Sequence, residues 1–279
     1  MLRMRILSAI IFFILFFLGL FHPSFAWLVT VLLLVAALTG LREFLNFSPL
    51  KPIQPYPTLA MAAAVALLAD AYCCQLRHGL LLLGLFTILA MTSALLRADR
   101  DSAGHQTAGH CLVGLLYVVL PLAFIMAIWR RGLALQLEHA PHYLIFLVLG
   151  TQASDIGAYF TGRWLGRHKL APRLSPGKTL EGLLGGVAFA LLVASALKLF
   201  WNNIDAIFAW WEVLCLALVF SLLGPVGDLV ESLHKRASGI KDSGQTFTGH
   251  GGMLDIIDSL LFTAIAYYVF LWIFHPHLH

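Results

Sequence analysis

The chain has 279 residues, of which 60% are hydrophobic and only 11% charged, with a mean hydropathy of +0.86. Soluble domains carry about 25% charged residues, so this composition excludes a water-soluble globular fold. The net charge of +4 does not point to nucleic acid, because most Lys and Arg stand in short loops beside apolar runs, where they orient a membrane protein.

A helix needs about 20 mostly apolar residues to cross a bilayer. In chain order, that rule predicts spans at 5–21, 25–41, 58–76, 79–96, 108–129, 142–161, 180–201, 210–231 and 254–274. The expected fold is therefore an all-α polytopic integral membrane protein of about nine transmembrane helices. It forms a single integral membrane domain over 1–279, with N-terminal helices in 1–141 and C-terminal helices in 142–279 that carry the polar residues of interest. Arg3 and Arg5 ahead of an apolar run read as a retained first span, since that run exceeds the roughly 7–15 residues of a cleaved leader. Pro52, Pro55 and Pro57 make the following connection a stiff, non-helical segment. Cys73, Cys74, Cys111 and Cys215 form no CxxC pair, so neither a disulfide framework nor a zinc site is indicated.

Cation placement predicts the orientation. With the N-terminus in the cytoplasm, the outer loops hold only Arg77, Arg130 and Arg131, while Lys198 lies near the outer end of a span, where it is expected to snorkel. The C-terminus then lies outside. Trp27, Trp201, Trp210, Trp211 and Trp272 fit an interfacial aromatic belt.

The sixth span carries Asp155 towards its cytoplasmic end, and an intramembrane carboxylate is a functional candidate by default. Beyond it come Arg163, Arg167, Lys169 and Arg173, then Ser175, Gly177, Lys178 and Thr179, and Glu181 at the start of the next span. This is not a Walker A loop, because Pro172 stands where that motif needs Gly. It reads as a basic, glycine-containing loop entering a helix N-terminus, a place suited to an anion. The alternative is a positive-inside loop that meets lipid phosphates.

The eighth span should bend at Gly224-Pro225, because Pro225 removes a helical hydrogen bond. Asp228 and Glu231 share a helix face at i, i+3, and Lys235 follows Glu231 at i+4. The ninth span opens with Asp255 and Asp258, again at i, i+3. Two carboxylate pairs thus reach the same face. Carboxylates from different helices suit Mg²⁺, which takes hard oxygen ligands and keeps positions for water and phosphate. Arg236 and Lys241, with Lys235, supply cations for phosphate charge. His250 stands as a phosphate donor or as a cap on the last helix.

Two blocks carry a family resemblance. The first is Ser232, Lys235-Arg236, Lys241-Asp242-Ser243-Gly244, His250-Gly251-Gly252-Met253, Asp255 and Asp258. The second is Asp155-Ile156-Gly157-Ala158-Tyr159, Gly162-Arg163, Lys169-Leu170, Ser175-Pro176-Gly177-Lys178-Thr179 and Glu181-Gly182. Together they cover roughly the C-terminal half, and the chain resembles the bacterial phosphatidate cytidylyltransferases, or CDP-diglyceride synthases. It departs from the family pattern at His234, at Thr248, and at Ile256, where the family has Arg.

The resemblance implies transfer of a cytidylyl group from CTP to phosphatidate, giving CDP-diacylglycerol and pyrophosphate in phospholipid synthesis. It implies Mg²⁺ as cofactor, with a second, monovalent cation left open, and CTP and membrane lipid as partners rather than nucleic acid. A homodimer is also left open. Asp228, Asp255 and Asp258 are the expected metal ligands; Lys235, Arg236, Lys241, Asp242 and His250 the expected catalytic groups; Asp155, Arg163, Ser175, Lys178, Thr179, Glu181 and Ser232 the expected substrate-binding groups. The expected location is a bacterial inner membrane with the site facing the cytoplasm. Two rivals remain: a non-catalytic or altered-substrate relative, suggested by Ile256, and an ion-coupled transporter, which would string its acids across the membrane rather than gather them at one face.

Overall fold

The computed structural model describes residues 14–47, 56–96, 103–135, 139–239 and 252–276. Its apolar stretches are helices, as hydrocarbon requires of a backbone that must satisfy its own polar groups. Residues 14–21 are the described part of α1. Then follow α2 (Trp27–Asn46), α3 (Tyr56–Cys74), α4 (Gly79–Leu96), and α5 (Ala103–Gly114), which passes through a π-helical turn at Leu115–Val119 into α6 (Leu120–Ala134). The second half holds α7 (Ala140–Leu165), a hairpin of β1 (Lys169–Ala171) and β2 (Ser175–Thr179), α8 (Leu180–Phe200), the short α9 (Asn202–Ile207), α10 (Trp210–Ala237) and α11 (Leu254–Phe274).

The all-α polytopic class holds. Among the described residues seven helices are long and apolar enough to cross a membrane, and the apolar stretch Gly79–Ser93 is shorter. The span expected at 5–21 lies partly outside the described residues.

Three local features differ from the expectation. The segment expected to be a loop before α8 is an antiparallel hairpin, pairing Lys169 with Thr179 and Ala171 with Ser175. Pro172 sits second in its turn, where a fixed φ is favourable, and Leu174 N–H closes the turn onto the Ala171 carbonyl at 3.2 Å. The π-helical turn precedes Pro121, whose missing N–H leaves the preceding carbonyls to re-pair. Lys198 does not reach for water: it is 5% exposed. Its ammonium pairs with Asp205 Oδ1 at 2.5 Å and donates to the Asp205 and Phe208 carbonyls at 3.0 and 2.5 Å. It ties the end of α8 to α9.

The chain divides into two compact units. One comprises Met1–Arg130 and Ala237–Ile256, the other Arg131–Arg236 and Ile257–His279. In the first, Phe44 of α2 stacks on His110 of α5 with ring centres 4.7 Å apart. Gly114 lets α5 approach there, since a Cβ would lie 2.9 Å from both Leu41 Cδ1 and Phe44 Cδ1. The second unit is built on α7 and α8, whose facing residues are small. A Cβ on Gly157 would meet Phe189 Cβ at 2.5 Å, and one on Gly186 would meet the Ser154 carbonyl oxygen at 2.8 Å. Close backbone contact through small residues is how helices associate where lipid removes the hydrophobic drive.

Candidate active site

Within the second unit α7, α10 and α11 converge on a polar centre. Gly224 of α10 faces Ser259 Cβ at 3.7 Å, Thr151 Cγ2 at 3.8 Å and Asp155 Oδ1 at 3.9 Å, measured from an ideal Cβ. Ser259 and Asp155 thus flank Gly224 together, and Thr151 donates to Thr263 at 3.0 Å. One turn further, Gly227 lies against the Asp258 backbone carbonyl so closely that no side chain fits between them. These contacts place the Asp228 and Asp258 side chains side by side.

One carboxylate oxygen from each of Asp228, Glu231 and Asp258 falls within 4.8 Å of the other two. Glu231 is 1% exposed and Asp258 8%. Asp155 lies within Coulombic reach of Asp228 and Asp258. Among the described residues, two cations pair with acids of this group. Lys178, from β2, pairs with Asp228 Oδ2 at 2.7 Å and donates to the Pro225 carbonyl at 3.0 Å, and Lys235 pairs with Glu231 Oε2 at 2.7 Å. Among the described residues the cluster holds more acids than the cations paired with them. Its donors are all hard oxygens, so the residues fit a divalent cation such as Mg²⁺.

Ser232 donates to Asp228 Oδ1 at 3.4 Å, and Arg236 is exposed at the end of α10. Thr179 and Glu181 are engaged in holding the hairpin. Thr179 Oγ1 caps α8 by accepting from Gly182 N–H at 3.1 Å. Glu181 accepts from the Arg167 and His168 backbone N–H groups at 3.0 and 3.1 Å, and its Oε1 lies 2.6 Å from His168 Nδ1. Arg163 donates to the Tyr159 hydroxyl at 3.0 Å on the exposed side of α7. Ser175 begins β2, half-buried.

Asp255 belongs to the first unit, where its Oδ2 accepts from Gly252 N–H at 2.7 Å. Beside it, Glu43 of α2 accepts from Met253 and Leu254 N–H at 3.0 and 2.9 Å. The family-divergent Ile256 is 40% exposed, and His234 turns its Nδ1 back to the Val230 carbonyl at 2.8 Å. Lys241, Asp242 and His250, like Thr248, lie outside the described residues.

The sequence expectation grouped Asp228 with Asp255 and Asp258, whereas the structure sets Glu231 beside Asp228 and Asp258, a neighbour that its i, i+3 spacing from Asp228 signals. Thr151 and Ser259 carried no such signal, because their neighbours in the site lie on other helices.

The sequence matches the model of the Cytidylyltransferase family over residues 3–274. It is 34% identical over 267 residues to a protein of Staphylococcus haemolyticus named phosphatidate cytidylyltransferase, covering 93% of this chain and 95% of that protein. Proteins of the same name from Staphylococcus saprophyticus and Staphylococcus epidermidis are 33% and 31% identical, with the same coverage. With a family match across nearly its whole length and relatives of this identity, the chain belongs to the cytidylyltransferase family of nucleotidyltransferase enzymes.

Proposed function

We propose that the chain is a phosphatidate cytidylyltransferase, making CDP-diacylglycerol and pyrophosphate from phosphatidate and CTP at the cytoplasmic face of the membrane. The observation that carries this reading is the partly buried carboxylate group of Asp228, Glu231 and Asp258 with Lys178 docked on it. Such a group has the charge and the oxygen donors for a metal–triphosphate, and it lies on membrane helices that can meet a lipid headgroup. The relatives' names supply the substrates.

In the reaction a phosphate oxygen of phosphatidate attacks the α-phosphorus of CTP in line, the bond to the β-phosphate bridging oxygen breaks, and pyrophosphate leaves with that electron pair. The attacking oxygen is already anionic, so no strong general base is required. Asp228, Glu231 and Asp258 would hold Mg²⁺, and the chemistry it would supply there is charge neutralisation during phosphoryl transfer. Lys178 and Lys235, drawn from their carboxylate partners, offset phosphate charge, and Arg236 and Lys241 add to that field. Asp155, within Coulombic reach of Asp228 and Asp258, adds to the acidic wall behind them.

The test is direct. Detergent-purified protein with phosphatidate, labelled CTP and Mg²⁺ should form labelled CDP-diacylglycerol and release pyrophosphate, and chelation of the metal should stop both. A folded sample that forms no product beside an active relative would overturn the reading, and recovery of turnover on Ile256→Arg would then mark the chain as an inactive relative.

A further inference from the structure

Asp70, Cys74 and His78 recur every four residues, and on a continuous helix Asp70 and His78 would stand about 12 Å apart along the axis. The structure brings them together. Helix α3 ends at Cys74, and Gln75 and Leu76 then take left-handed backbone angles, φ 56° and 62°. The chain turns back, with Leu76 N–H on the Asp70 carbonyl at 3.3 Å. His78 follows with its backbone N–H 2.9 Å from Asp70 Oδ2 and its ring Nδ1 2.9 Å from Asp70 Oδ1. One ligand atom from each of the three residues lies within 4.8 Å of the other two. Asp70 is 7% exposed, whereas Cys74 and His78 are open to the surface.

We propose that this turn binds a borderline divalent transition-metal cation, of which Zn²⁺ is the type, through the Asp70 carboxylate, the Cys74 thiolate and the His78 imidazole. The donor set decides the class: one sulfur, one nitrogen and one oxygen suit zinc and disfavour Mg²⁺ or Ca²⁺, which want oxygen alone. The charge balances too, since carboxylate and thiolate together cancel a divalent cation. On binding, the thiol proton passes to solvent and the imidazole proton sits on Nε2, leaving Nδ1 free to ligate. Three protein ligands leave a fourth position for water or another donor. No zinc motif announces the site in the sequence, because its spacing suits a metal only once the helix has ended and reversed. These three residues belong to the first unit and Asp228, Glu231 and Asp258 to the second, so the proposal stands whether or not cytidylyl transfer is found.

The test uses untagged, metal-stripped, detergent-purified protein loaded with zinc chloride and desalted, its zinc counted by elemental analysis. The wild type should retain one equivalent more than the double variant Cys74→Ser/His78→Gln, whose side chains are exposed and retain polar character. The Co²⁺-loaded wild type should show a near-ultraviolet thiolate-to-metal charge-transfer band that Cys74→Ser alone abolishes. Equal zinc in wild type and double variant, or a cobalt band that survives Cys74→Ser, would overturn the proposal.

Discussion

At the scale of single residues, the centre of the proposed site is a balance between acids and the few cations that reach them. Lys178 holds Asp228 at 2.7 Å, and the two are fifty positions apart, so no spacing rule joins them. By contrast, the Glu231–Lys235 pair at 2.7 Å was legible as an i, i+4 pair. Lys178→Met should lower cytidylyl transfer by about 10²-fold, the usual loss when one charge-stabilising group is removed. Lys178→Arg should not restore it, because a planar fork cannot replace a compact ammonium between Asp228 and the Pro225 carbonyl. Labelled-CTP turnover reads both, and a Lys178→Met enzyme within a few-fold of wild type would remove Lys178 from the site. Glu43, buried at 5% exposure, was equally hidden in the sequence, as an acid just beyond the span predicted at 25–41 whose partners lie 210 and 211 residues away. Its carboxylate accepts from two otherwise unpaired N–H groups at the start of α11, where negative charge is favoured. Glu43→Gln turns one acceptor into a donor facing a donor and should cost about 1–3 kcal/mol, seen as a lower midpoint in detergent-phase unfolding; an unchanged midpoint would deny the cap its role.

At the scale of elements, most helices were legible from apolar length alone, since lipid admits few other solutions. Helix ends and the hairpin were not. The basic segment before α8 looked like a loop because its strands are three and five residues long and carry no alternation of polar and apolar residues. What orders it is a pair of caps, Thr179 on Gly182 and Glu181 on Arg167 and His168. Both residues match the family motif, yet their visible work is to present Lys178 on β2. Thr179→Ala should therefore cost about 1 kcal/mol of stability and reduce turnover, while Thr179→Ser keeps the acceptor oxygen and should keep both. Gly227 acts differently, through distance. Any Cβ there presses on the Asp258 carbonyl oxygen, so Gly227→Ala should push α10 from α11, cost about 1–3 kcal/mol and raise the Mg²⁺ concentration needed for half-maximal turnover. Stability loss with an unaltered Mg²⁺ requirement would separate the packing of these helices from the metal site.

At the scale of the whole molecule, orientation is the step that joins the proposed chemistry to the cell. CTP is a charged, water-soluble nucleotide, so Asp228 and Lys178 must open to the compartment that holds it. The sequence argues for the cytoplasmic side, since the segment from Arg163 to Lys178 carries five of the chain's 18 Lys and Arg, and such clusters resist translocation. Helix α8 offers a ruler for this. Its 21 residues rise about 1.5 Å each, roughly the 30 Å of a hydrocarbon core, so the hairpin before it and α9 after it should face opposite compartments. Arg173 and Ala206 are both exposed, one on each side of this helix. In a background with the four native cysteines replaced, Arg173→Cys should react with a membrane-impermeant maleimide in inverted vesicles and not in intact spheroplasts, and Ala206→Cys should do the reverse. The same inverted vesicles, made with the native protein, should turn over externally added CTP. Labelling of Arg173→Cys from outside intact spheroplasts would place the basic hairpin away from cytosolic CTP, and the orientation drawn from the cations would fall with the proposed site of reaction.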